Sequence, residues 1–159
     1  MPDFTAPEDE AFFAAIGRLA IAWAHLELGL DWLVRIIHHD LGGRERIAAI
    51  EPISLKRKLD YLRTAFRSLS ELAPFKDRFP RIADDVRAAA EERHDIIHGF
   101  AVHHISGSGG AIMVRLMPGD RTPKPFAVTT ELILKAADRA NKIYVLEFAD
   151  EVVSSLSAT

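Results

Sequence analysis

A long run of apolar residues at helical spacing constrains the fold more than any other feature of this chain. From about Glu8 to His39 the apolar positions recur at steps of three and four residues, which is typical of a helix with one buried face. These positions are Phe12, Ile16, Leu19, Trp23, Leu26, Leu30, Leu33 and Ile37. The pair Gly42 and Gly43 is expected to end this helix.

Two more segments have the same period. A second helix is expected to begin after Ser54, whose side chain can cap its first turn, and to continue to Leu69. Its apolar stripe consists of Leu55, Leu59, Leu62, Phe66 and Leu69. A third helix is expected from about Arg81 to His98, with Gly99 as its C-terminal stop.

The segment after Gly99 favours strands before the helical period returns. The runs AVHHIS and AIMVRLM flank the tetrad Gly107-Ser108-Gly109-Gly110, and two β-prone runs around a Gly-rich turn predict a hairpin at about residues 101–117. The stretch PGDRTPKP that follows is expected to be a polar loop. Thr129 or Thr130 is then expected to cap a final helix that extends to about Val153.

These elements predict an all-α fold. Four long helices with modest connections pack most economically as an up-and-down four-helix bundle, with the β-hairpin inserted between helices 3 and 4. The chain has 159 residues, of which 48% are hydrophobic. That is enough for one core and too little for two comfortable ones, so we expect a single domain over residues 1–159.

Composition and charge exclude several classes of site. The chain has no cysteine, which excludes disulfides, thiolate metal sites and a thiol nucleophile and favours a cytoplasmic location. Acids stand where a secretory signal would be basic, and charged residues interrupt the apolar stretch from Ile16 to Ile37, so no membrane segment is expected. The net charge of -3 gives no global attraction for polyanions. Contact with nucleic acid would therefore need a local basic patch, for which Lys56, Arg63 and Arg67 are the candidates.

The stretch EERHDIIHGF, residues 91–100, concentrates titratable groups in the last turns of the third helix. His94 and His98 are four residues apart and share a helix face, while Arg93 and His98 differ by roughly 140° of helical rotation. Asp95 could orient His98, and Glu91 has the same relation to His94. Because Ile96, Ile97 and Phe100 draw this turn into the core, the polar groups beside them are expected to face a groove or a partner.

One interpretation of this turn is a metal site. The two histidines of HDIIH can supply imidazole ligands, and His25 or His38 could give a third. Asp95 stands where a zincin would place glutamate. The pattern resembles instead the DinB-like bundles, which bind a metal through three histidines from two helices.

A second interpretation is an RNA-cleaving site. Arg93, four intervening residues and His98 near the end of a helix resemble the motif of the HEPN family (higher eukaryotes and prokaryotes nucleotide-binding). The family often has asparagine after the arginine, where this chain has His94. The resemblance extends loosely over most of the chain, through WAHLELGLDWL in the first helix and SLKRKLDYL in the second. Some HEPN toxins have a modifiable tyrosine two residues after the motif histidine, and this chain has Phe100 there.

The HEPN resemblance implies a metal-independent endoribonuclease that needs no cofactor. It implies a homodimer in which two motif helices build one composite site for RNA, with His98 as the acid or base, Arg93 as the phosphate clamp and His94 as a helper. It also implies a toxin or defence component, with a protein antitoxin as a further partner. A third interpretation is a HEPN-like binding or scaffold domain without catalysis.

The remaining histidines and tryptophans are expected to be structural. His103 and His104 alternate faces in a predicted strand, and His38 and His39 stand at a helix end, where histidines are most often on the surface. Trp23 and Trp32 are expected to be core or dimer contacts.

Overall fold

The computed structural model describes residues 7–98, 100–105, 110–115, 122 and 124–158. Within these ranges the chain is mostly helical and has one small antiparallel sheet. The elements in chain order are α1 (Pro7–His39), α2 (Gly43–Arg46), α3 (Leu55–Ser68), a short 3-10 helix (Ser70–Phe75), α4 (Phe79–His98), β1 (Phe100–Ile105), β2 (Gly110–Arg115), β3 (Lys124–Thr129), α5 (Thr130–Asn141) and α6 (Val145–Ser157).

The chain forms two compact units, each built from two separated stretches. The sheet unit comprises residues 1–23 and 88–142, and therefore holds the first half of α1, the end of α4, the strands and α5. The helical unit comprises residues 24–87 and 143–159, with the rest of α1 and α4 and the helices α2, α3 and α6. That the chain is a single domain stays a prediction.

The sheet has three antiparallel strands in the order β1-β2-β3. The pairing of the two predicted strands is confirmed, since β1 pairs antiparallel with β2 from Phe100 opposite Val114 to Ile105 opposite Gly110. Of the tetrad predicted as the turn, residues 107–109 lie outside the described residues and Gly110 is the first residue of β2, so the hairpin turn stays a prediction. The third strand corrects the prediction, which treated residues 118–125 as a loop before a helix. In β3, Phe126 and Val128 are more buried than their exposed neighbours, as the two-residue period of a strand requires.

The core of the sheet unit joins α1, α4, α5 and the sheet. Its buried members are Phe12, Ala15, Leu19, Ile96, Ala111, Met113, Val128, Ile133, Ala136 and Ala137. Ile96 is the member that belongs to α4, and it is 2% exposed. Burial of an isoleucine side chain contributes about 1.5–3 kcal/mol. The end of α4 is therefore anchored in this core.

The helical unit is built around aromatic rings. Phe66 of α3 stacks on Phe79 of α4 with centroids 4.6 Å apart, and Phe148 of α6 lies 5.6 Å from Phe66. The predicted stripe of α3 is confirmed at Leu59, Leu62, Phe66 and Leu69, all of which are buried.

Two helix boundaries follow the sequence and one departs from it. Ser54 and Thr129 are the N-cap residues of α3 and α5, but only Thr129 accepts a capping hydrogen bond, from the Leu132 amide at 3.2 Å. The predicted final helix is two helices, because Tyr144 has φ 51° and ψ 39° and separates α5 from α6. This left-handed conformation costs a residue with a side chain about 1–2 kcal/mol, and no glycine marks it in the sequence.

Among the described helices, α1 is long and apolar enough over Asp9–His39 to span a membrane by length and composition. Core helices of water-soluble proteins meet the same criteria. About one third of its most apolar stretch is buried within the protein. The cytoplasmic location therefore stays a prediction.

Two glycines of α1 should respond in opposite ways to substitution by alanine. An added Cβ at Gly29 would lie 2.7 Å from the backbone nitrogen of Leu146 in α6, whereas at Gly17 it would meet nothing within 4 Å. We expect Gly29→Ala to lower the free energy of unfolding by about 1–3 kcal/mol through overpacking. Gly17→Ala should raise it by about 0.5–1 kcal/mol through helix propensity. Urea unfolding of both variants measures this, and a shift of the same sign in both would contradict the close approach of α1 and α6.

Candidate functional site

The last turns of α4 are fixed in rotation by their apolar residues. Ile96 is buried in the core of the sheet unit and Ile97 packs against it, which confirms that this turn is drawn into the core. At about 100° per residue, Arg93 lies some 60° from the direction of Ile96 and His94 lies some 160° from it. The observed burial agrees, since Arg93 is half-buried and His94 is exposed.

Arg93 is held against an indole ring. Its guanidinium carbon lies 5.1 Å from the ring centroid of Trp23 on α1. The Arg93 Nε atom is buried and has no hydrogen-bond acceptor among the described residues, and none of the described carboxylates forms an ion pair with Arg93. A cation–π contact of this kind uses none of the N–H donors of the guanidinium. A phosphate would accept hydrogen bonds from these N–H groups.

Trp23 is the contributor to this site that sequence reasoning did not assign. It is 4% exposed, so its predicted place in the core is confirmed. Its second role, as the platform for Arg93, depends on a contact between α1 and α4 that no local pattern encodes. The only available signal was the general preference of arginine for the face of tryptophan.

His98 is the last residue of α4. Its side chain, like that of Phe100 on β1, lies outside the described part of the structure. The proximity of His98 to Arg93 and His94, and its orientation by Asp95, therefore stay predictions.

On its other flank this helix end borders a cavity within the sheet unit. Glu92 forms an ion pair with Arg139 of α5 at 2.5 Å. Both Glu92 and the half-buried Asp95 line a cavity of about 330 Å³ between α4, β3 and α5. Its remaining lining residues are Ile96, Phe126, Ala127, Val128, Leu132, Lys135, Ala136 and Arg139.

The predicted metal site includes His98, whose side chain lies outside the described part of the structure, so the metal interpretation stays a prediction. No group of three histidine, aspartate or glutamate side chains in the described part could hold a metal ion. His25 is exposed on α1.

His38 corrects the expectation that it lies on the surface. It is 3% exposed, and its Nδ1 lies 3.4 Å from the hydroxyl of Tyr61. Burial, with the nearby carboxylate of Glu51, raises the pKa of Tyr61 to about 12. The phenol is therefore protonated at neutral pH and can donate to His38, as a structural pair of the helical unit. His39 is exposed as predicted and pairs with Glu51.

The basic row belongs to α3 in the helical unit. Lys56 pairs with Asp60 at 3.0 Å and Arg63 pairs with Asp84 at 2.5 Å, so two of its three positive charges already have carboxylate partners. Arg67 is exposed. That this row borders the groove for RNA stays a prediction.

Comparison of the chain with models of protein families, with curated proteins and with solved structures finds no match.

The contact between Arg93 and Trp23 should appear as an energetic coupling. We expect a double-mutant cycle of Arg93→Gln and Trp23→Phe to give a coupling free energy of about 0.5–2 kcal/mol, because phenylalanine offers a weaker negative face than indole. Urea unfolding of the wild type, both single variants and the double variant measures it. Arg87→Gln provides the control, since this exposed arginine of α4 is 3.9 Å from Asp84 and should show no coupling to Trp23. Equal coupling for Arg87 and Arg93 would contradict the stacking.

Proposed function

We propose that this protein is a metal-independent endoribonuclease of HEPN type whose composite active site forms at a homodimer interface. The observation that carries the proposal is the state of Arg93. An arginine that stacks on a buried tryptophan and pairs with none of the described carboxylates is suited to clamp a phosphate.

The chemistry assigns one task to each residue. One histidine removes the proton from a ribose 2′-hydroxyl, and the 2′-oxygen attacks the adjacent phosphorus. The bond from phosphorus to the 5′-oxygen breaks, and a second histidine donates a proton to that oxygen. Arg93 neutralises the negative charge that builds on the phosphorane oxygens. The products are a 2′,3′-cyclic phosphate and a free 5′-hydroxyl, with His98 as the principal acid or base and His94 as its helper.

A second copy of the chain solves a problem of geometry. Arg93 is directed toward Trp23 and the core, and it differs from His98 by roughly 140° of rotation about the axis of α4. One helix end is poorly arranged to bring both groups to one phosphate. Two such ends across a two-fold axis supply Arg93 and His98 from both copies, and the exposed position of His94 leaves it accessible to the partner.

We also propose the helix arrangement, the location and the partner that the sequence predicts. The long helices would be arranged as an up-and-down four-helix bundle with the strands as an insertion. The protein would act in the cytoplasm, as a toxin or defence component controlled by a protein antitoxin. Phe100 has no hydroxyl, so control by nucleotidylation at that position is excluded.

Cleavage should depend on both motif residues and on no metal. We expect the wild type to cleave a mixed RNA pool in excess EDTA and to leave 2′,3′-cyclic phosphate ends. Arg93→Ala and His98→Ala should each lower the rate by about 10²–10⁴-fold, the range for loss of an acid, a base or an oxyanion donor. Gel analysis of the products, with mass spectrometry of the new ends, measures both.

The control for this experiment is Arg87→Ala, purified identically, because it removes another exposed arginine from the same helix. It should cleave as the wild type does. Equal cleavage by all four preparations would indicate a contaminating nuclease and refute the assignment. Activity that EDTA abolishes and zinc, iron or nickel restores would favour the DinB-like interpretation instead.

The composite site should allow two inactive variants to complement each other. When Arg93→Ala and His98→Ala are mixed, unfolded and refolded together, mixed dimers contain one intact arginine and one intact histidine. We expect cleavage to return above the level of either variant refolded alone. The RNA assay in EDTA measures this, and native mass spectrometry verifies that the subunits have exchanged. If the mixed dimers are as inactive as either variant alone, the site is not shared between copies.

A further inference from the structure

We propose that the cavity between α4, β3 and α5 is a subsite for one guanine nucleotide of the RNA. The inference rests on the proposed function, since it names the base that the enzyme would select. With a volume of about 330 Å³, the cavity is at the lower end of the range for ligand sites. It therefore holds one nucleotide unit and excludes a longer segment of strand.

The floor of the cavity is apolar and suits a flat ring. Ile96, Val128 and Ala136 are all at least 94% buried and form part of the lining. Phe126 of β3 is half-buried and adds an aromatic ring to it. Bases of single-stranded RNA are commonly recognised by stacking on aromatic side chains and by hydrogen bonds to their edges. This floor provides the first of these two requirements.

The carboxylates of the lining determine which base fits. Asp95 and Glu92 both belong to α4 and both reach the cavity. A carboxylate has two oxygens with about four acceptor positions, so Asp95 can accept from a ligand in addition to its contacts within the chain. Guanine presents two adjacent donors, N1–H and the exocyclic amine, on one edge. Adenine, cytosine and uracil have no such adjacent pair of donors, so a carboxylate selects guanine.

The cations at the opening suit a phosphate. Lys135 pairs with Glu131 at 2.7 Å, and Arg139 pairs with Glu92, but the side chains of both cations are more than half exposed. Exposed ion pairs are held only weakly. A phosphate oxygen can therefore engage Lys135 or Arg139 at little cost, while the base occupies the apolar floor.

Binding of mononucleotides tests the subsite without cleavage. Isothermal titration of the full-length protein with guanosine 5′-monophosphate should show saturable binding at one site per chain. Adenosine, cytidine and uridine monophosphates should each bind at least about tenfold more weakly than guanosine monophosphate, as expected for loss of a bidentate pair of hydrogen bonds. Asp95→Asn should abolish that preference. No saturable binding of guanosine monophosphate by folded protein would overturn the proposal.

Two substitutions on α5 give a matched pair. Leu132 is 45% exposed and lines the cavity, while Leu134 is 36% exposed and is not part of the lining. Leu132→Trp should narrow the opening and lower the affinity for guanosine monophosphate by about tenfold or more. Leu134→Trp should leave it within about twofold. An equal loss in both variants would place the nucleotide elsewhere and overturn the assignment.

The source of the nucleotide is decided by competition. A hexamer RNA that contains one guanosine should displace bound guanosine monophosphate from the Arg93→Ala variant, and a uridine hexamer should not. Displacement by neither hexamer would indicate a site for a free nucleotide and overturn the RNA subsite. If guanosine monophosphate binds but the wild type cleaves no RNA, the proposed function fails, and the assignment of the cavity to an RNA-cleaving site fails with it. Cleavage of RNA without binding of the nucleotide would refute the subsite alone.

Discussion

The burial of Ile96 is the constraint on which the arrangement of the polar residues at the end of α4 depends. Once that side chain is fixed among the residues from α1, the sheet and α5, the helical period determines the direction of every neighbour on α4. Glu92 and Asp95 are directed to the cavity, Arg93 to the indole of Trp23, and His94 to solvent. One apolar residue therefore separates the polar residues of a crowded turn into three environments.

The environment of Arg93 is compatible with its proposed role as a phosphate clamp. A carboxylate would occupy the guanidinium donors and cancel the charge that a phosphate needs. Trp23 instead lies 5.1 Å from the guanidinium carbon, in a cation–π contact that contributes about 0.5–2 kcal/mol and uses none of the N–H donors. Glu92 precedes Arg93 but lies on a different side of α4, because consecutive side chains of a helix do not face each other. It pairs with Arg139 of α5.

Local features of the fold were predictable from the sequence, and features that depend on distant contacts were not. The boundaries of α1, α3 and α4 follow from apolar period, and the pairing of β1 with β2 follows from β-prone runs around glycines. The strand β3 was missed because prolines before Phe126 favour a loop, and its pairing with β2 supplies the hydrogen bonds that make it a strand. The break at Tyr144 was missed because no glycine or proline marks it. The stacking of Arg93 on Trp23 and the burial of His38 beside Tyr61 were missed for a different reason. Both depend on partners far along the chain.

The cavity and Arg93 lie on different flanks of one helix end, and this arrangement bears on how an acidic protein would select RNA. Contacts to phosphate supply affinity without sequence information, and their contribution falls as salt rises. A chain with a net charge of -3 gains little from them at long range. The cavity lining carries two acids and two cations, so its net charge is zero. A base held there would gain most of its affinity from stacking and hydrogen bonds. Salt weakens these interactions only slightly. Since α4 carries both groups, the base in the cavity would fix which phosphate reaches Arg93, and selection of the base would become selection of the cleavage position.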